Sequence, residues 1–521
     1  MTILNVNDLK EFNEQPTEYN TEEELIDWLK WDLYQQAIRN GKIPNENNIV
    51  TITDEEEKEF EILIGNINKK IIINDYIDLE NILKDFLNNR EINYKITFSN
   101  LELKNTIRIH EIIFNNIVQL LDTKIGKVYC VYSHFFDEVI IKTSTFDNDI
   151  YFEDCHFYNS FKCISSKFSM FRIINSIFNE KIRFDNNVFN GFTNFSNSIF
   201  NNEVFFNESY SSYSNFNDII IINCCKFNNG IIFENIDINE DMYISNTNII
   251  NSIKFFETSI CKNMELYNLD IDYIIFNKIK MKNSSTYLYL INSNDIKELS
   301  FVDINIDGKI NLQNIEVNEA DFKGSIINGG LINPVNFKVN KFANRESALF
   351  LKQQAYAVNN TIDALQYKSK EIECHKDDLI KSAKDIIQNK EYSFSKKIKE
   401  LYKIVGDIAS IYLSSLYSDN GQNWIKALFM TIFITIICFT VFYIPDLTKA
   451  NIIRLYYKNL FPELIKYFIP TDYSLIIKYA ASKLNLFLKI FGVLVYFLGK
   501  VLFWYGSVQT VQAFRKFAKG A

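Results

Sequence analysis

Within residues 176–209, phenylalanine recurs at Phe178, Phe184, Phe189, Phe195, Phe200 and Phe206, in steps of six, five, six, five and six. Neither a helix of period 3.6 nor a strand of period two produces that spacing. A chain that runs straight for a few residues and then turns a corner, repeatedly, does produce it. The segment therefore reads as part of a solenoid. The ruler extends back through Phe168, Cys163, Phe157, Phe152, Phe146 and Phe135 to Phe114 and Phe98. Forwards, Ser211 is a gap, after which Phe216, Phe227, Phe233, Ile244, Phe255, Leu266 and Phe276 comply. Phase is lost over residues 282–295, returns at Phe301, and then runs by fives from Val317 to Phe342.

A second inward position lies two residues before each ruler residue. Before one set it is small or polar (Ser144, Cys155, Ser166, Ser176, Asn187, Ser198, Cys225); before the alternate set it is larger (Ile150, Ile182, Val204, Ile231, Ile253, Met264). The repeating unit is thus a pair of faces, about eleven residues long, and two units make one coil. These residues resemble the pentapeptide-repeat family, in which a central Leu or Phe and a small residue two places earlier both point inward. That resemblance implies a right-handed, four-sided β-helix of about eleven or twelve coils, stacked near 4.8 Å apart. The chain departs from the family in the sixth residue on alternate faces and in its Asn- and Ser-rich corners.

The residues before Phe98 are different in character. They hold 21 acidic and 10 basic side chains, a net charge of −11, against −9 for the whole chain. Such a head speaks against direct capture of nucleic acid. Residues 21–40 are expected to be a helix, with Thr21 and Glu24 as a capping box and Gly41 as its stop. A second helix is expected over 78–89, and strands over 60–64 and 70–73. The acidic run 54–57 reads as a solvated face rather than a metal loop, since calcium loops place ligands at alternate positions. Eight Cys show no CxxC pair, and several fall on inward repeat positions, so buried free thiols in a reducing compartment are expected. No basic-then-apolar leader is read at the start of the sequence, so its front is expected to stay in the cytoplasm.

Catalytic patterns are missing. His110, His134, His156 and His375 are scattered, with no HExxH, and neither GxSxG nor GxxxxGK[ST] occurs. An enzyme is not expected, and neither is a cofactor or a metal. A topoisomerase-binding DNA mimic, known among pentapeptide-repeat proteins, is disfavoured because the acidity lies outside the coils.

After Phe342 the spacing changes to three and four residues, predicting a long amphipathic helix over 345–390 with a break, and another over 395–417. They are expected to form either a spacer packed against the last coil or a lever or oligomerising bundle between solenoid and membrane. Residues 427–444 carry no charge and have Trp424 and Tyr443 near their two ends, which fits a bilayer span with aromatic anchors. Residues 490–514 form a second span, followed by Arg515 and Lys516. Between the spans, 445–486 reads as interfacial or re-entrant helices. In the second span Gly492, Gly499, Gly506 and Ala513 recur every seven residues, a small-residue stripe for close helix packing. Lys500 lies mid-span, where a cation costs about 2.5–3.5 kcal/mol and should face protein or water, unless the span stops near Lys500 and its side chain snorkels. With Ser507 and Tyr496 it is a candidate pore-lining or gating residue. No Gly falls between Gly421 and Gly492, which excludes a potassium filter of the TVGYG type between the spans.

The run SDNGQNWIKALF, two spans and the ending VQAFRKF are similar to membrane-attached pentapeptide-repeat proteins with an ion-channel-like tail. The layout also resembles effectors of Hailong-type antiviral systems. The resemblance implies a pore in the bacterial inner membrane, with the head and solenoid cytoplasmic. It further implies gating by a nucleotide, an oligonucleotide or a partner protein, and assembly as a homo-oligomer such as a tetramer. The domains expected are an acidic α+β cap (1–97), the β-helix (98–342), a helical connector (343–423) and a two-span membrane domain (424–521). The alternative is a membrane-anchored scaffold whose solenoid binds a partner protein.

Overall fold

The structure, a computed structural model, describes residues 2–74, 76–83, 90–207, 214–293, 295–388, 394–447, 460–469, 471–480 and 485–518. It forms two compact units, Met1–Ala343 and Asn344–Ala521.

The first unit is a parallel β-solenoid of about 11 turns. A typical turn pairs Ile113–Phe114 with His134–Phe135, Val118–Leu121 with Val139–Lys142, and Lys124–Val131 with Thr145–Glu153, the last with a register shift after Ile125. Every fourth ruler residue meets across turns. One such row runs Phe98, Leu120, Ile141, Cys163, Phe184, Phe206, Phe233, Phe255, Phe276 and Phe301. In this row the rings from Phe184 onward stack nearly parallel, with centroids 4.8 Å apart at Phe184–Phe206 and 5.0 Å at Phe255–Phe276. Phe114, Phe135, Phe157 and Phe178 form another such stack. Each coil alone leaves these rings bare, so their burial depends on the coil above and below.

Corners recur with the eleven-residue unit. A left-handed residue sits at 100, 111, 122, 132, 143, 154, 165, 175, 186, 197 and 207, and the series continues after the 208–213 segment. Many of these are Asn or Asp, the side chains that tolerate that backbone best after Gly. This is how a chain with few glycines turns so often. The corner amides also join across turns: Asn268 Nδ2 donates to Asn246 Oδ1 (2.8 Å), Asn314 to Asn292 (3.1 Å) and Asn336 to Asn314 (3.0 Å).

The residue after each corner explains the small inward set. Its side chain accepts the backbone N–H of the equivalent residue one turn earlier: Ser144 N to Ser166 Oγ (3.1 Å), Cys155 N to Ser176 Oγ (3.1 Å), Ser166 N to Asn187 Oδ1 (2.9 Å) and Ser176 N to Ser198 Oγ (3.1 Å). A buried N–H at a corner would otherwise lack an acceptor, so a short polar side chain is required there.

The parallel sheet starts well before Phe98. Glu61–Gly65 pairs with Lys95–Ser99, Ile71–Ile73 with residues 101–103, and Glu18–Tyr19 with Ile72–Ile73. Residues expected to form a separate cap therefore supply the first coils, within one compact unit. Helix α1, Glu22–Arg39, is N-capped by Thr21 as expected. The acidic run forms a one-turn helix, α2 (Asp54–Glu57), and is not wholly solvated. Glu57 is buried and accepts from Thr2 Oγ1 and Asn93 Nδ2, both 2.9 Å, while Glu56 pairs with Lys42, which holds its carboxyl down at about 2. Of the helix expected over 78–89, α3 (Leu79–Ile82) is described and residues 84–89 lie outside the described residues.

Two insertions account for the breaks in the ruler. Phe168 pairs with Phe189, but Phe189 pairs with Phe216; the extra length, with Ser211, falls at 208–213, outside the described residues. After Met281 a turn closed by Thr286 N to Asn283 O (3.2 Å) adds residues, and Leu288 and Leu290 then pair with Met264 and Leu266.

All eight cysteines are free. Burial, reinforced by Cys155, pushes the Cys130 thiol up; burial also raises Cys163, and Cys225 to about 12. A thiolate is the reactive form, so these should be inert in the folded chain. Thiol labelling at neutral pH is expected to modify exposed Cys224 at once and Cys130, Cys163 and Cys225 only on unfolding. Fast labelling of Cys163 in the native protein would contradict the packing described.

In the second unit, helix α4 (Arg345–Ala357) is capped by Asn344. Left-handed Asn359 then breaks the chain before α5 (Thr361–Gln388). Lys352 and Arg345 of α4 both reach Glu371 of α5, at 2.6 and 3.4 Å. Helix α6 (Phe394–Ser418) leads through left-handed Asp419, Asn420 and Gly421 into α7 (Trp424–Leu447). Short helices α8 (Leu460–Phe468) and α9 (Ser474–Ala480) precede α10 (Leu486–Ala518). Residues 448–459, 470 and 481–484 of the intervening stretch lie outside the described residues.

Candidate functional site

Two helical segments are long and apolar enough to cross a bilayer, Trp424–Tyr443 and Leu486–Arg515. They lie against one another, and large side chains such as Phe429, Phe433, Leu494 and Val501 point outward. These features suggest membrane association.

The seven-residue stripe of α10 is filled by this chain itself. A Cβ at Gly492 would overlap the Tyr479 ring. One at Gly499 would overlap Tyr467 Oη and stand 2.8 Å from Cys438 Cβ. One at Gly506 would overlap Thr431 Oγ1 and stand 2.6 Å from Tyr417 Cε1. Ala513, the fourth member, is fully buried. The stripe therefore seats α6, α7, α8 and α9 on α10 in turn, close approach being what a small residue permits.

Lys500 follows Gly499 and is 5% exposed. Its Nζ donates to the carbonyls of Tyr467 and Ile469, both at 2.6 Å, and lies 5.1 and 5.3 Å from the Tyr467 and Tyr496 ring centroids. The last carbonyls of a helix have no partner within it and carry its negative dipole end. Lys500 thus caps the C-terminal end of α8. Tyr496 is buried beside it and donates to Asp472 O at 2.5 Å. Around them Phe439, Phe442, Tyr467, Leu475 and Tyr479 form one apolar cluster. Ser507 is half-buried and donates to Phe503 O of its own helix at 2.8 Å.

Of the expected anchors, Trp424 meets Phe514 edge-to-face at 5.7 Å, and Tyr443 donates a hydrogen bond to Glu463 of α8. Arg515 is exposed, and the side chain of Lys516 lies outside the described residues. Lys500 and Tyr496 are brought together; Ser507 stands apart, a full heptad further along α10.

Sequence reasoning missed two features. Tyr467 and Tyr479, which fill the glycine stripe, lie in the irregular stretch between spans and follow no period. The other is on α6, where Ile398, Tyr402, Val405, Ala409, Tyr412 and Leu416 recur in steps of four, three, four, three and four, and all are exposed. Tyr402 is 82% exposed, and Phe394 at the start of the helix 80%. That 3.5-residue period is a coiled-coil seam, and its signal was present in the spacing.

No group of His, Cys, Asp or Glu suited to a metal occurs among the described residues. No family model, curated protein or solved structure matches the chain.

Proposed function

We propose that several copies of this chain assemble in a bacterial inner membrane into an ion-conducting pore whose opening depolarises the cell during antiviral defence. The observation that carries this reading is the exposed heptad seam of α6, immediately before the first span, on which Lys376 of α5 reaches the Tyr412 ring at 5.4 Å. Two spans cannot enclose a pore alone, whereas helices joined at such a seam hold several pairs around one axis. In the middle coils four separate segments pair with the next turn (Ile177–Phe178, residues 182–184, Val188–Phe189 and Thr193–Ser196), which supports a four-sided β-helix of the pentapeptide-repeat kind. We place it on the cytoplasmic side, where it would receive a nucleotide, an oligonucleotide or a partner protein. Lys500 takes a gating role, since its bonds to Tyr467 and Ile469 hold α8 on α10.

A second reading is a membrane-anchored scaffold. It is favoured by the glycine stripe, which is filled within one chain by Tyr479, Tyr467 and Thr431. The mass of the full chain in detergent separates the two. The pore reading predicts a defined oligomer that Val405→Asp with Tyr412→Asp reduces to single chains. A monomeric wild type would leave the scaffold.

A further inference from the structure

Where the turn after α6 meets the end of α10, the second unit holds a cleft of about 230 Å³. Lys368 of α5, Asn420, Gly421 and Gln422 of the turn, and Gln512 and Arg515 of α10 line it. From this cleft we infer a binding site for the headgroup of a glycerophospholipid, one that carries a phosphodiester and a terminal hydroxyl or amine. The inference rests on the reading of α7 and α10 as membrane spans.

Three observations converge. The first is charge. Neighbouring cations are already paired, Lys426 with Asp419, Lys352 with Glu371 and Lys370 with Glu373. Lys368 and Arg515 have no ion-pair partner among the described residues, and both border the same space. Arg and Lys at the rim of a helix bundle are the usual receivers of lipid phosphate. The second is an acceptor: Asn420 Oδ1 is buried without a hydrogen-bond partner. A buried acceptor left empty costs about 1–3 kcal/mol, and a hydroxyl or ammonium donor beside the phosphate would supply what it lacks.

The third is location and rigidity. Trp424 and Phe514 meet edge-to-face at this end of the span pair, the level at which aromatic belts mark the headgroups. The turn is held by Gly421 N to Ser418 Oγ (2.9 Å), Ser418 Oγ to Gln509 Oε1 (2.8 Å) and Gln422 Nε2 to Leu365 O (2.7 Å). The cleft is therefore preformed. It is smaller than the roughly 300–1,000 Å³ of pockets that enclose a drug-sized ligand, which suits a headgroup whose acyl chains remain outside.

The test is lipid retention by the full chain in detergent, read by native mass spectrometry after exposure to phosphatidylglycerol, phosphatidylethanolamine or phosphatidylcholine. Wild type is expected to retain the first two several-fold more than the third, whose quaternary ammonium cannot donate. Lys368→Gln with Arg515→Gln is expected to lower retention of phosphatidylglycerol about tenfold, while the equal charge change Lys396→Gln with Lys399→Gln leaves it unchanged. Asn420→Gly, which keeps the left-handed backbone, is expected to erase the preference over phosphatidylcholine. Equal retention by wild type and the Lys368/Arg515 variant overturns the site. Displacement of the lipid by an equal concentration of glycerol phosphate would overturn the lipid source in favour of a soluble phosphate. Retention is read per chain and does not depend on assembly or conduction, so failure here is distinct from failure of the pore.

Discussion

Phe233→Ala is expected to lower the stability of the solenoid by about 3–5 kcal/mol, the range for emptying a buried aromatic site. Phe233 is fully buried, and its ring lies between Phe206 at 4.8 Å and Phe255 at 4.9 Å. Removing it opens a cavity and also strips one face from each neighbouring ring. Coils interact only with their nearest neighbours, so the damage should divide the stack instead of spreading evenly. Urea unfolding of the full chain in detergent, followed by β-sheet circular dichroism, should show an earlier and broader transition. Phe136→Ala is the control, because Phe136 is 47% exposed and stacks on Tyr158 at the surface. It should shift stability by no more than about 0.5 kcal/mol. Equal effects of the two changes would show that the ladder is not the core.

Gly499→Ala should have the second largest effect. The added methyl would overlap Tyr467 Oη and stand 2.8 Å from Cys438 Cβ. Tyr467 has little room to yield, since Phe439 lies 5.4 Å and Tyr496 5.3 Å from its ring. Overpacking of this kind costs about 1–3 kcal/mol. Its consequence is specific: α8 must lift from α10, and Lys500 then loses the two carbonyls it holds. Gly406→Ala supplies the opposite sign. Nothing lies within 4 Å of its added Cβ on α6, so it should stabilise by about 0.5–1 kcal/mol through helix propensity alone. Thermal unfolding in detergent reads both; a neutral Gly499→Ala would contradict the seating of Tyr467 on the stripe.

The solenoid was legible because one physical constraint repeats. Each ruler Phe must meet its counterpart one coil away, and Phe135, Phe157 and Phe178 do so at nearly constant spacing. The first coils escaped notice because α1 and α2 separate Glu18–Tyr19 from Glu61–Gly65 and Ile71–Ile73, so the strands of these coils are not evenly spaced along the chain. The small inward set was visible as Ser, Cys and Asn, but its purpose was not, since the N–H it accepts belongs to another coil.

In the membrane unit the order is reversed. Gly492, Gly499, Gly506 and Lys500 stand out in the sequence, but their partners do not. Tyr467 is 33 residues from Lys500, on the short helix α8 outside both spans. Lys500 in a long apolar run is equally suited to lining water or capping a helix; only the position of α8 distinguishes them. The α6 seam has the converse character, its spacing being readable in the chain while its exposure is a property of the fold.

Ion flux from proteoliposomes containing the full chain tests the proposed pore most directly. Lys500→Met frees the end of α8, and these vesicles should leak ions faster than those with wild-type protein. Adding Val405→Asp and Tyr412→Asp to the same chain should abolish the leak by separating the copies. Vesicles as tight as lipid alone with wild type, with Lys500→Met and with the seam variant would contradict the pore.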